Sequence, residues 1–134
     1  MHVFLVGDGK TGINFFPRVE ELLKARVADI EVDSVFVPFP EDIPGAVARV
    51  LREADLVFVF CLYEELDFKV KAMLSKLIEL EVSHGSMIVK AVEENELPSG
   101  SDRLDAEKEK LAEKWSQFIL DRLFNPKAFE PKEE

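Results

Sequence analysis

The sequence predicts an α/β fold, a three-layer αβα sandwich around a four-stranded parallel sheet in the order 2-1-3-4. Three observations carry this expectation. Apolar runs alternate with amphipathic runs along the chain in the pattern β-α-β-α-β-α-β-α. The segment Val35–Cys61 (VFVPFPEDIPGAVARVLREADLVFVFC) holds a strand, a rigid turn, a helix and a second strand within 27 residues. A unit that short crosses over to a parallel neighbour, and right-handed crossovers make 2-1-3-4 the natural order.

Each element has a local signal. His2 to Val6 is an apolar strand, followed by the loop Gly7-Asp8-Gly9-Lys10-Thr11-Gly12. A helix starts at Ile13 or Pro17 and reaches Arg26, with Val19, Leu22, Leu23 and Arg26 at helical spacing. Ile30 to Val37 is the second strand. Ile30, Val32, Ser34 and Phe36 alternate with Glu31, Asp33 and Val35, which suits an edge strand with one wet face. Prolines 38, 40 and 44 stiffen the next turn. A helix from Ile43 to Ala54 and an apolar strand Leu56–Phe60 complete the crossover. Leu66 to Val82 reads as the third helix, with Phe68, Val70, Met73, Leu74, Leu77 and Ile78 on a broad apolar face. Gly85 suits a left-handed C-cap behind His84, and Ser86 to Val92 is the fourth strand. A long helix begins at Ser101 or Asp102 and stops at Asn125-Pro126. Its buried stripe is Leu104, Leu111, Trp115, Phe118, Ile119 and Leu123.

Length and composition bound the rest. The 134 residues form one domain over 1–126, followed by a short charged tail at 127–134. Apolar residues make up 47 %, enough for a sizeable core. The net charge of −10 argues against nucleic acid, where a basic footprint is expected, and gives no steering toward anionic substrates. No apolar run approaches the ~20 residues of a membrane span. Gly7, Asp8 and Lys10 break the first apolar run before it could serve as a signal-peptide core. A cytoplasmic chain with no membrane partner is expected. Cys61 is the single cysteine and has no internal disulfide partner. At the end of an apolar strand it reads as packing.

The chemistry-bearing motifs are sparse. The Gly7–Gly12 loop fails the phosphate-loop spacing, because Lys10-Thr11 precede the last glycine. The dinucleotide pattern is nearly met at Gly7, Gly9 and Gly12, but Asp29, Glu31 and Asp33 fall too early to supply the ribose-binding acid. His84 reads as a helix C-terminal cap, and His2 sits at the wrong end of the sheet for catalysis. No metal-ligand or nucleophile-triad spacing is present. Glu93-Glu94-Asn95-Glu96 reads as a solvated loop. Phe39, set between two prolines, suits either ring stacking or a subunit interface.

Val37-Pro38, then Asp42, Ile43-Pro44 and Ala46, with Leu51 and Asp55–Phe60 behind them, resemble the lumazine synthase superfamily and its archaeal-type riboflavin synthases. The remaining elements follow in the same order and length, ending at Phe124-Asn125-Pro126, so the likeness runs to about residue 130. It implies a ring-and-ribityl pocket at Phe39, Pro40, Glu41 and Asp42, with Asp42 accepting hydrogen bonds from ribityl hydroxyls. Lys10, beside Thr11, stands at the family's first-loop aromatic. Cys61, before Leu62, stands where the family has a glycine after the third strand, and Phe39 replaces another glycine. The family's phosphate-binding Gly-x-Thr and catalytic His have no counterpart. The His-Glu pair of archaeal riboflavin synthases falls on Val70-Lys71, so proton transfer would pass to Lys71, Lys69, Glu64 or Glu65, with Lys71 and Glu64 as candidates.

The resemblance implies a riboflavin synthase-like transferase acting on 6,7-dimethyl-8-ribityllumazine. It would need no cofactor, and it would assemble as a homopentamer with sites between subunits. Apolar Phe39, Leu62, Tyr63 and Leu66 are compatible with such an assembly. Two other readings stand beside it. One is a catalytically inactive relative that binds a flavin- or lumazine-like ring or acts as an oligomeric scaffold. The other, from fold logic alone, is a flavodoxin-like nucleotide-binding regulator.

Overall fold

The sheet contains β1 (His2–Asp8), β2 (Glu31–Val37), β3 (Leu56–Tyr63) and β4 (Ile88–Glu94). The helices are α1 (Phe16–Arg26), α2 (Ile43–Val50), α3 (Phe68–His84) and α4 (Ser101–Phe124). These elements belong to a computed structural model that describes residues 1–9, 14–94 and 101–125, with side chains in α4 from residue 105. All strand pairs are parallel and the order is β2-β1-β3-β4, as the crossover argument requires. The proposed tail at 127–134 lies outside the described residues.

The two central strands are buried on both faces, so their sequences are continuously apolar. Val3 and Leu5 of β1, with Leu56, Phe58 and Phe60 of β3, face Val19 and Leu23 of α1 and Ala112, Trp115 and Ile119 of α4. Phe4, Val6, Val57, Val59 and Cys61 face the other way, onto Ile43 and Val47 of α2 and Val70, Met73 and Leu77 of α3. The helices therefore cover both sides of the sheet. Arg18 of α1 also grips Glu109 of α4 through two nitrogens, each 3.1 Å from the carboxylate, a half-exposed contact of modest energy. β2 is the edge strand its alternation predicts. Val32 is buried, Glu31, Asp33 and Ser34 are exposed, and Phe36 stacks on Phe16 at 5.2 Å. Gly7 makes room for that stack, since a Cβ there would lie 3.2 Å from the Phe16 ring and 3.3 Å from Phe36.

Several boundaries differ from the sequence expectation, each for a local reason. α3 begins at Phe68 instead of Leu66. Asp67 is its N-cap and accepts from the N–H of Lys69 (3.0 Å) and Val70 (3.1 Å). α3 ends at His84, before Gly85 at φ 61°. α2 ends at Val50, short of Ala54. The Glu53 N–H bonds back to the Val50 carbonyl and closes a turn there. A 3-10 turn at Pro40–Asp42 precedes α2. β3 runs past Phe60 to Tyr63, because β4 continues alongside it in the pairs Cys61–Val92, Leu62–Glu93 and Tyr63–Glu94.

The cap has a measurable consequence. Asp67→Ala leaves two N-terminal amides of α3 without their acceptor and is expected to cost about 1 kcal/mol. Asp67→Asn retains an acceptor and should stay close to wild type. Urea unfolding midpoints of the two variants check the difference.

Candidate functional site

In a 2-1-3-4 sheet the connections leave β1 and β3 in opposite directions, so a crevice opens between their carboxyl ends. A cleft of about 400 Å³ lies there. Asp8 comes from the end of β1, Pro40 and Glu41 from the turn after β2, and Leu62, Tyr63, Glu64 and Glu65 from the end of β3. Asp67, Lys69 and Val70 close it from the start of α3. The volume falls in the range of about 300–1,000 Å³ usual for small-molecule sites.

Its electrostatics are one-sided. Asp8, Glu41, Glu64, Glu65 and Asp67 bring five carboxylates, against the ammonium of Lys69. Asp8 is only 4 % exposed, a buried acid at the mouth of an apolar strand. The N-terminal amides of α3 are already engaged by Asp67, so this helix end is not an open anion site. Among the described residues, no group of three or more His, Cys, Asp or Glu side chains is placed to hold a metal ion. Glu93 lies 3.7 Å from Lys114, while Asn95 and Glu96 are outside the described residues.

The sequence-derived residues separate into groups. Pro40, Glu41, Leu62 and Glu64 meet in the cleft, and Lys69 and Glu65 join them. Phe39 and Asp42 are exposed on the same turn but outside the lining, joined by the Asp42 N–H to Phe39 carbonyl bond of 3.0 Å. Lys71 is exposed on α3, also outside it. Lys10 and Thr11 lie outside the described residues. Asp8 and Asp67 were not singled out from the sequence. An acid ending an apolar strand was a usable signal for Asp8, whereas Asp67 looked like one member of an acidic run.

Cys61 sits in the core formed by α2 and α3 and is fully buried. It does not line the cleft, which separates it from the ligand-contacting role suggested by its alignment with a family glycine. Burial, reinforced by the nearby Asp8 carboxylate, pushes its thiol up to about 12 from an ordinary 9.0. The folded state thus holds this proton more tightly than the unfolded chain. The resulting stability is complete below pH 9 and is lost as pH rises toward 12. Two outcomes are expected. A thiol reagent at pH 8 should label Cys61 only after denaturation. Between pH 9 and 12 the wild type should lose more stability than Cys61→Ala, measured by urea unfolding.

The two histidines lie away from the cleft. His2 is at the start of β1, hydrogen-bonded through Nε2 to Asp33. His84 ends α3, its Nδ1 3.1 Å from the Leu80 carbonyl. No described helix is long and apolar enough to cross a membrane.

No family model matches the chain, and no curated protein matches it. Among solved structures, the solution structure of a phosphate-loop protein is similar over 87 % of this chain and 94 % of that one, with 19 % identity and a TM-score of 0.38. Those values are too low to establish a structural or functional correspondence.

Proposed function

We propose that the protein is a riboflavin synthase-like transferase of the lumazine synthase fold, with its strand-end cleft as the ribityllumazine site. The supporting observation is the cleft's lining. Five carboxylates, Lys69 and Tyr63 line it together with apolar Pro40, Leu62 and Val70. A ribityl chain is a row of hydroxyl donors, and carboxylates are its strongest side-chain acceptors. The apolar positions suit a flat ring. A phosphorylated ligand would meet repulsion from the same carboxylates, whereas a ribityllumazine carries no phosphate. The reaction moves a four-carbon unit from one ribityllumazine to another, and holding the two rings in register can supply much of the rate. A pentamer with sites between subunits belongs to this proposal. Exposed Phe39, Leu66 and Phe68, on the segments around the cleft, offer apolar surface for a neighbour.

A second reading, binding without turnover, draws on the absence of a histidine from the cleft lining. His2 and His84 are remote and Lys71 lies outside the lining, so proton transfer would fall to Glu64, Glu65 or Lys69 within it. Incubation with 6,7-dimethyl-8-ribityllumazine, followed by absorbance and fluorescence, separates the two. Turnover to riboflavin supports the transferase, and saturable binding alone supports the inactive relative. No interaction removes both. The mass from light scattering is expected to be that of a pentamer, and a monomer would count against both.

A further inference from the structure

α3 carries an apolar stripe that the core does not use. Val70, Met73 and Leu77 point inward and are buried. On the opposite side Phe68 is 76 % exposed, Val82 77 % and Ile78 50 %. Lys71, Ala72, Ser75 and Glu79 lie exposed between them. At about 100° per residue these positions share one face of about 120°. The outward face of a surface helix is ordinarily polar, so an apolar stripe there marks a contact surface.

The stripe is complementary to itself. Consider two α3 helices packed antiparallel about a two-fold axis at Ser75. Phe68 of each copy then meets Val82 of the other, and the bulkier Ile78 falls on the small Ala72. The same register sets Lys71 opposite Glu79 on both sides of the axis. Glu79 already holds Lys76 at 3.1 Å, an exposed pair of small energy that leaves its carboxylate open to sharing. Ser75 on the axis and Ala72 beside it are small, so the two backbones can approach closely. The net charge of −10 opposes association over most of the surface. This face adds no repulsion of its own, because each of its charges meets the opposite sign.

We propose that the protein pairs with a second copy of itself through α3, antiparallel and two-fold, with Ser75 on the axis. A contact of this extent buries about 1,000 Å², the low end for a specific interface, and is expected to form with a dissociation constant of about 10–100 μM. Dilution below that range separates the copies. The pairing is independent of the ribityllumazine reading. A ring of subunits joins two different patches, for which Phe39 and Leu66 remain, and it does not set Ser75 of one copy against Ser75 of the next.

Ser75→Cys reads the axis directly. Two copies of that position come within the roughly 4.4–6.8 Å between Cα atoms that a disulfide spans. Cys61 is fully buried and does not compete. Mild oxidation of the full chain carrying Ser75→Cys, at about 100 μM, is expected to give a two-chain band on a non-reducing denaturing gel. Ser83→Cys, exposed on the same helix, is expected to give none, because its two copies lie about 24 Å apart along the pair. Sedimentation velocity reads the charges. Lys71→Glu and Glu79→Lys each set like charges face to face and are expected to weaken pairing about tenfold. The double swap K71E/E79K restores it. Equal cross-linking at both serine positions overturns the proposal, as does a wild-type mass that does not double with concentration. Single swaps without effect, or a double swap that fails to restore pairing, would overturn it as well.

Discussion

Phe58→Ala is expected to lower the free energy of unfolding by about 3–5 kcal/mol. Phe58 is fully buried in β3, one of the two central strands. Its ring lies among those of Phe15 (6.4 Å), Phe16 (6.1 Å), Phe60 (6.4 Å) and Trp115 (5.4 Å). These neighbours come from the start of α1, from β3 itself and from α4. Truncation removes apolar burial and leaves a cavity between three elements, which cannot all collapse into it. Phe124→Ala, at the end of α4, is the matched control. That ring is 55 % exposed, so the same chemical change is expected to fall within about 0.5 kcal/mol of wild type. Urea unfolding of both variants measures the contrast. A Phe58→Ala loss below about 1 kcal/mol would contradict this account of the core.

The second large effect is expected at Asp8, on the proposed function. Asp8→Asn keeps the side-chain shape and removes the buried charge at the mouth of the cleft. A hydrogen bond to a charged group contributes about 1.5–3 kcal/mol, so ribityllumazine affinity should fall about ten- to a hundredfold. Glu94→Gln makes the same kind of change at the exposed end of β4, outside the cleft lining, and should leave affinity unchanged. Fluorescence titration with 6,7-dimethyl-8-ribityllumazine reads both, alongside unfolding midpoints to confirm folded protein. Equal affinity in wild type and Asp8→Asn would move the ligand away from the β1 mouth.

Much of the fold was legible because its signals are local. The continuous apolar run of β3 announces a strand covered on both faces, and the alternation in β2 announces an edge. Gly85 marks the end of α3 because only a residue at ease at positive φ fits there. The start of α3 was less legible. Leu66 and Asp67 are both compatible with a first turn, and the choice depends on which side chain reaches the amides of Lys69 and Val70. The extension of β3 to Tyr63 was hidden for a related reason, since it depends on pairing with the end of β4.

The site was legible in outline and not in membership. Glu41 and Leu62 lie 21 positions apart in the chain and meet because Glu41 follows β2 and Leu62 lies near the end of β3, at the same carboxyl end of the sheet. That convergence follows from the strand order, and the strand order follows from the crossovers. Which neighbours of those residues turn into the cleft is a different matter. Glu41 enters and Asp42 does not, because the 3-10 turn over Pro40–Asp42 points successive side chains in different directions.

Sequence alone determined the element order, the parallel sheet and its strand order. These follow from hydrophobic period and crossover handedness. Tertiary structure alone decided that Cys61 is sealed in the core, that Asp8 is buried at the mouth of the cleft, and that the Trp115 N–H faces no acceptor. Burial and hydrogen-bond satisfaction depend on residues brought together from distant parts of the chain, which local pattern does not encode.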